Sequence, residues 1–280
     1  MTYFAGLDVS MKETSICVVD AKGDIAWEGT VDTHPQAMFE ALAKFKGLRQ
    51  VGHEAGALSP WLQPALIALG LPAQCLETRH VRAAMAAQRN KTDVTDARGL
   101  AHIVRTGWFR PVHIKSEESY RLRLLLNQRR NLKRKFLDIE NSIRHSLKAF
   151  GIRLNTVSRG QFEAKVRREL DDDPVLQAML DPILKVRSVM WEQYLRLHKL
   201  VVQLVGRDEL CRRFMGIPGV GPIAALTVKT ALDNPARFKS SKLVGAYFGL
   251  TPKRWQSGTS IDVQGRISKQ GDGDARRALY

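Results

Sequence analysis

The sequence predicts an α/β head followed by a chain that is mainly α-helical. Three observations carry this. The first 111 residues read strand, strand, strand, helix, strand, helix, strand, helix. From 116 to 150 apolar residues recur at an alternating spacing of three and four. Beyond 206, short helical runs are separated by turns rich in glycine and proline. The expected organisation is an α/β domain over 1–111, a basic helical region over 112–206 and a mainly α domain over 207–280.

Phe4-Ala5-Gly6-Leu7-Asp8-Val9-Ser10 reads as a strand carrying an acid. Thr14 to Asp20 reads as a buried strand, Ala21-Lys22-Gly23-Asp24 as a turn, and Ile25 to Val31 as a third strand, which makes an antiparallel meander. Met38, Leu42 and Phe45 mark a helix from about Pro35 to Phe45. Gln50 to Glu54 is a short strand ending on a second acid. Ser59-Pro60 opens a helix from Trp61 to Leu69. Pro72 to Glu77 is the fifth strand, with helical sequence following to Arg89. This order belongs to an α/β layer fold.

The stretch Asn90-Lys91-Thr92-Asp93-Val94-Thr95-Asp96-Ala97-Arg98 opens a helical run from Asp93 to Thr106. Asp93 and Asp96 are three residues apart, so they share a helix face. Acids that close repel unless a cation lies between them, and Mg²⁺ or Mn²⁺ is usual in an oxygen-only site. The same residues also make an ordinary helix start, with Thr92 or Asp93 as cap and Asp96 in the first turn. In an α/β sheet, Asp8 and Glu54 can face one crevice, closed by a helix bearing Asp93 and Asp96. Four such carboxylates would hold two divalent ions about 4 Å apart, as in phosphodiester cleavage.

The formal net charge is +16, unevenly spread: +1 over 1–111, +9 over 112–169 and +6 over 170–280. That pattern points to a polyanion partner, foremost nucleic acid. No apolar run is long enough to span a membrane, and the first residues lack a signal-peptide pattern. Cys17, Cys75 and Cys211 are far apart and odd in number, which fits a reducing cytoplasm and neither a zinc site nor a disulfide framework.

Leu122, Leu125, Leu132, Phe136, Ile139, Ile143 and Phe150 form the apolar seam of the long helical stretch. Arg129, Arg130, Lys133, Arg134 and Lys135 form a basic block within it. It reads either as a solvated face of an intramolecular helix hairpin or as a coiled-coil arm holding phosphate backbones. Residues 160–173 read as a loop-like connector, before a partner helix from about Val175 to Val205. Gly216-Ile217-Pro218-Gly219-Val220-Gly221-Pro222 reads as the hairpin of a helix–hairpin–helix, in which Gly219 and Gly221 let the backbone approach a phosphate. An ordinary tight turn between helices has the same composition. Gln256-Ser257-Gly258-Thr259-Ser260 is a phosphate-facing loop with three candidate hydroxyls, or else a polar turn before a hairpin.

Residues 3–111 resemble the RuvC-like, ribonuclease-H-fold DEDD domain of the IS110 family of insertion-sequence transposases. The matching pieces are Gly6-Leu7-Asp8-Val9-Ser10, His53-Glu54-Ala55-Gly56 and the stretch from Asn90 to Arg98. Many members read Glu-x-Thr-Gly or Glu-x-Cys-Gly where this chain has Glu54-Ala55-Gly56-Ala57. The resemblance places the family's four metal-binding acids on Asp8, Glu54, Asp93 and Asp96, with Mg²⁺ or Mn²⁺ as cofactor. Residues 210–280 resemble the family's C-terminal transposase domain. Its nucleophilic serine falls on Ser257, with Ser260 as fallback and Arg266 and Lys269 as phosphate-steadying cations.

The resemblance therefore implies a DNA recombinase that cuts and rejoins element ends and target through a transient phosphoserine–DNA link. It also implies a coiled-coil middle, a structured guide RNA, a homodimer or homotetramer, and a cytoplasmic, nucleoid-associated life in a prokaryote. Members continue beyond the point where Asp274 to Tyr280 opens a helix, so a shortened C-terminus is expected. Two other readings compete. One is a non-catalytic nucleic-acid-binding remnant. The other is an actin-like ATPase, opposed by the lack of a second glycine-rich phosphate loop.

Overall fold

The computed structural model describes residues 1–86, 92–258 and 261–279. Two compact units make up the chain, Met1–Lys115 and Ser116–Tyr280. Helical and C-terminal regions expected as separate domains lie together in the second unit.

The first unit is built on strands β1 (Tyr3–Val9), β2 (Glu13–Asp20), β3 (Ile25–Asp32), β4 (Leu48–Glu54) and β5 (Ala73–Leu76). Helices α1 (Pro35–Ala43), α2 (Ser59–Ala68), α3 (Thr78–Ala84) and α4 (Asp93–Thr106) flank them. Among the described residues the strands form one sheet in the order β3-β2-β1-β4-β5. β1, β2 and β3 are antiparallel neighbours. β4 and β5 join in parallel, which requires crossovers, and α1 and α2 supply them. The tight β2–β3 turn is fixed by Asp20, whose Oδ1 accepts from the backbone N–H groups of Lys22, Gly23 and Asp24 at 2.8–3.0 Å.

Six consecutive residues of β2, Thr14 to Val19, are buried, because both faces of the sheet are covered. On one face Ala5, Leu7, Ile16, Val18 and Val51 pack with Met38 and Leu42 of α1 and Leu62 and Leu66 of α2. On the other, Phe4, Cys17 and Val19 pack with Leu100, Ala101 and Val104 of α4. The expected strands and helices stand within about two residues of their observed ends. Helical sequence expected to Arg89 is seen as α3, and residues 87–91, including Asn90 and Lys91, lie outside the described residues.

The second unit is organised by two long helices, α5 (Glu117–Leu147) and, after α6 (Phe162–Glu169), α7 (Pro174–Arg207). α5 and α7 run antiparallel: Arg129 meets Tyr194 and His198, Phe136 meets Trp191, and Glu140 meets Arg187. Much of the apolar seam of α5 is spent on its own chain. Phe150 is not part of that seam. A 3₁₀ turn, Lys148–Phe150, and left-handed Gly151 end the helix and leave the ring exposed.

The connector expected over 160–173 is instead mostly α6. Phe162 and Val166 are fully buried four residues apart, and Glu163–Arg167 and Lys165–Glu169 are i,i+4 ion pairs. Its polar composition hides this amphipathic turn from a reading based on apolar spacing. At the centre of the helical layer, Arg187 and Glu140 form a buried ion pair, each side chain 2% exposed. Arg187 also donates to the Arg159 carbonyl at 2.5 Å and lies against the Phe136, Phe162 and Trp191 rings.

Helices α8 (Glu209–Met215), α9 (Pro222–Leu232) and α10 (Ser241–Tyr247) follow, then strands β6 (Pro252–Ser257) and β7 (Ile261–Ile267) and helix α11 (Gly273–Ala278). β6 and β7 form an antiparallel ribbon within the otherwise helical tail. Arg254, Gln256, Asp262 and Gln264 share one face of it, and Trp255 and Val263 pair on the other. Among the described residues no helix is long and apolar enough to cross a membrane.

Candidate active site

The local sequence sets α4 in place before any carboxylate matters. Thr92 and Thr95 form a reciprocal capping box: Thr92 N–H donates to Thr95 Oγ1 at 2.9 Å, and Thr95 N–H donates to Thr92 Oγ1 at 3.2 Å. The threonines thus supply the cap, with Asp93 and Asp96 in the first turn behind it. Gly107, at φ +70°, ends the helix.

Strand alternation then fixes which residues meet α4. Leu7 faces the α1–α2 side, so Gly6 and Asp8 face α4; likewise Val51 faces α1–α2, so Gly52 and Glu54 face α4. Gly6 has no side chain because α4 lies on it. A Cβ there would come within 2.8 Å of the Leu100 carbonyl carbon and closer still to Ala97 O and Ala101 N. At Gly52 a Cβ would run into Val104 and meet Leu76 at 3.1 Å. Each glycine precedes its acid by two residues. Asp8 and Glu54 therefore sit on adjacent parallel strands, on one face, near the carboxyl ends, beneath the first turns of α4.

Glu54 and Asp96 line one cavity of about 230 Å³, together with Val81, Arg82 and Met85. Asp8, Glu54 and Asp96 are half-buried, whereas Asp93 is exposed at the helix start. The turn after Glu54 is held firmly. Ala55 N–H donates to Leu76 O at 2.9 Å, Gly56 N–H to Ser59 Oγ at 2.9 Å, and Thr78 Oγ1 to Ala55 O at 3.2 Å. His53 is buried under this turn, with Nδ1 3.2 Å from Glu54 O. Burial holds its pKa below the ordinary histidine value.

Arg98 of α4 crosses to Glu28 of β3 in a bidentate pair, one arm measuring 2.7 Å. Beneath it, burial and then Glu28 push the Cys17 thiol up to about 12, so Cys17 serves as packing. Sequence reasoning did not single out Arg82, Glu28 or the two seating glycines. A glycine inside a strand, two residues before an acid, was the available signal.

The four acids form an all-oxygen donor set, the kind that suits a hard divalent cation. Among the described residues no three His, Cys, Asp or Glu side chains stand close enough to hold a metal as they are placed. Asp8, Glu54 and Asp96 lie on the side of the sheet that α4 covers.

In the second unit the basic block divides. Arg129 turns inward, donating to Tyr194 Oη at 2.7 Å and His198 Nδ1 at 3.2 Å. Arg130 pairs with Asp274, while Lys133, Arg134 and Lys135 are exposed. Gly219, at φ +87°, and Gly221, the N-cap of α9, lie in the turn joining α8 to α9, and a Cβ at either would meet nothing within 4 Å. Ser257 is exposed at the last position of β6, paired with Ile261. Thr259 and Ser260 lie outside the described residues. Arg266 lies near the other end of β7, about 16 Å along the ribbon from Ser257, and Lys269 lies beyond it. The structure therefore does not bring those two cations to Ser257.

The ribbon's base is anchored tightly. A Cβ on Gly249 would approach the Gln270 carbonyl carbon to 2.8 Å, and one on Gly271 would lie 3.2 Å from the Tyr247 carbonyl carbon. Arg276 ties the same backbone together, donating to Phe248 O at 2.9 Å and Gln270 O at 2.6 Å.

Comparison with known proteins supplies the family. Residues 5–152 match the model of the DEDD transposase of IS110, and residues 211–280 match that of the transposase IS116/IS110/IS902 family. The chain belongs to the IS110 family of transposases. The transposase for insertion sequence element IS1111A of Coxiella burnetii is 25% identical over 95% of this chain and 73% of its own length. The transposase for insertion sequence element IS1328 of Yersinia enterocolitica is 28% identical over 68% of this chain. That match spans 57% of the Yersinia protein. Among solved structures, T. thermophilus RuvC in complex with Holliday junction substrate is similar at 17% identity, over 40% of this chain and all of that chain, with a TM-score of 0.32.

Proposed function

We propose that this IS110-family chain is a DNA recombinase in which Asp8, Glu54, Asp93 and Asp96 hold Mg²⁺ or Mn²⁺ and Ser257 is the nucleophile. The observation that supports the reading is the seating of α4 on Gly6 and Gly52, with Glu54 of β4 and Asp96 of α4 lining one cavity. A divalent ion bound there supplies charge neutralisation at a scissile phosphate. The chain's own residues do the rest. The half-buried acids keep their places through backbone packing, and Arg82 offers the same cavity a cation for a non-bridging phosphate oxygen.

Ser257 Oγ attacks phosphorus. An ester bond forms as the bond to the leaving deoxyribose oxygen breaks; the serine proton passes to solvent and the leaving oxygen takes one up. The phosphoserine link conserves the ester, so rejoining is the same exchange in reverse and needs no nucleotide hydrolysis. The exposed tip position of Ser257 supports this role. Lys133, Arg134, Lys135 and the Gly219–Gly221 turn, as the hairpin of a helix–hairpin–helix, hold phosphate backbones without reading bases. Guidance by a structured RNA and assembly through the long helices as a homodimer or homotetramer complete the proposal.

Covalent trapping tests it. Protein is mixed with Mg²⁺, labelled element-end and target DNA and cognate RNA, and denaturing gels are read for a protein–DNA band. The band is expected with the wild type and absent in Ser257→Ala and Asp8→Asn. A band that survives Ser257→Ala sinks the nucleophile assignment and moves it to Ser260. Salt-sensitive binding with no band under any condition favours a binding remnant.

A further inference from the structure

On the sheet face away from α4, and at the opposite end of β1 from Asp8, lies a second cleft of about 620 Å³. Tyr3, Trp27, Lys44, Phe45 and Lys46 line it. The three rings form a continuous group: Tyr3 and Phe45 meet edge to face at 5.3 Å, and Trp27 and Phe45 lie 6.3 Å apart. Lys44 Nζ stands 4.2 Å over the Trp27 ring and 5.4 Å over the Phe45 ring. Gly29 leaves room for the indole to lie along β3, since a Cβ there would come within 2.5 Å of it.

The lysines are presented on a held turn. Phe45 N–H donates to Leu42 O, Lys46 N–H to Lys44 O and Leu48 N–H to Phe45 O, at 3.0–3.2 Å. Tyr3 N–H ties β1 to the same turn through Gly47 O at 3.1 Å. Among the described residues neither lysine has an acidic partner, and no acid lines the cleft.

We propose that this cleft binds an unpaired stretch of a nucleic-acid strand, one base stacking on the Trp27–Phe45 group and flanking phosphates contacting Lys44 and Lys46. Three features favour that occupant. Half-buried rings beside cations are the means by which single strands are gripped without sequence preference. The cleft volume falls in the range that holds a group of nucleotide size. Lys44 caps the Trp27 ring through a cation–π contact, so a stacking base takes its place on the ring and the displaced ammonium meets the neighbouring phosphate. A bland alternative, lysine stems covering an apolar cluster, accounts for Lys44 but not for Lys46 or for the open volume. The site borrows from the recombinase reading only that the chain works on nucleic acid, and it is spatially separate from the carboxylates.

Full-length protein is irradiated with 5-iodouracil-substituted single strands, one RNA and one DNA of the same sequence, and the cross-linked peptides are mapped. Affinity for both strands is measured against salt, with poly-glutamate as competitor. Cross-links are expected at Trp27 or Phe45. The exposed pair Lys44→Gln/Lys46→Gln should reduce the salt slope by about 1.4. Trp27→Ala should weaken binding by about 5-fold, while Trp27→Phe retains most of it. Cross-linking to RNA alone assigns the site to an RNA partner through its 2′-hydroxyls; equal cross-linking assigns it to unpaired strands of either kind.

Cross-links mapping wholly elsewhere, with an unchanged salt slope in the lysine variant, overturn the proposal. So does displacement by poly-glutamate with no nucleic-acid cross-link, which would mark an acidic protein partner. The wild-type protein separates the two readings. If it gives no protein–DNA band with Mg²⁺ but the Trp27 cross-link remains, the recombinase reading fails and the cleft stands.

Discussion

Gly6→Ala adds one methyl group between β1 and α4. The new Cβ would stand 2.8 Å from the Leu100 carbonyl carbon and nearer to Ala97 O and Ala101 N. All three are helix backbone atoms, which have no rotamer through which to yield. Ordinary contact requires α4 to lift by about 1 Å. Lifting it loosens Leu100, Ala101 and Val104 from the sheet, an overpacking cost of about 1–3 kcal/mol. It also carries Asp93 and Asp96 away from Asp8 and Glu54, and a displacement of that size can cost about 100-fold in rate. Urea unfolding of the full chain measures the first effect, and Mg²⁺-dependent formation of the protein–DNA band measures the second. Gly56→Ala is the control. It lies two residues after Glu54, and its Cβ would meet nothing within 4 Å. Gly6→Ala with control-like stability and activity would refute the argument that backbone seating positions the acids.

Other consequences can be measured. Arg187→Met leaves buried Glu140 with only the longer 3.5 Å contact to Arg144 and should cost about 3 kcal/mol in urea unfolding, whereas Arg187→Met/Glu140→Leu should recover most of it; a double variant as unstable as the single one would remove the charge-burial explanation. Asp272 and Asp274 both titrate below the ordinary value of 3.8. For Asp272, burial pushes upward, but the Ala275 N–H and Arg123 outweigh it; for Asp274, Arg130 is the main cause. Their stabilising contribution is therefore complete above pH 3.8 and lost as pH falls through the lower folded-state values. Hydrogen exchange should show α11 loosening only in that acid window, and loosening at neutral pH would contradict the assignment. Arg98→Ala removes a partly exposed pair worth no more than about 1 kcal/mol. It should still speed exchange in the first turns of α4, and unchanged exchange there would show that Glu28 does not hold the helix.

How much was legible depended on whether local pattern alone decides the structure. β2 shows as a continuous apolar run because both faces are covered, and α4 shows from Thr92 onward because its cap is written in adjacent residues. The positions of Asp8 and Glu54 near strand ends were legible for the same reason. That the two acids can face one crevice followed from the α/β order, but which strands are neighbours did not, since β4 pairing in parallel with β1 is a long-range choice. α6 was missed because two buried side chains, Phe162 and Val166, carry an otherwise charged helix. A hairpin near the β6–β7 ribbon was open as an alternative, but a polar turn there reads equally as a phosphate-facing loop; Arg254, Gln256, Asp262 and Gln264 share one face of the ribbon. Its pairing rests on backbone bonds and the Arg254–Asp262 bridge at 2.5–2.7 Å.

The anchoring of that ribbon has a mechanical meaning. A two-stranded ribbon clamped at its base behaves as a cantilever, with Ser257 at the loaded end. Over a length of about 16 Å, a tilt of about 10° at the clamp sweeps the tip through about 3 Å. That distance separates a hydroxyl in line with a phosphorus atom from one out of reach. Under the function proposed for Ser257, small shifts among Gly249, Gln270 and Gly271 would be geared into the difference between a chain that holds DNA and one that joins to it.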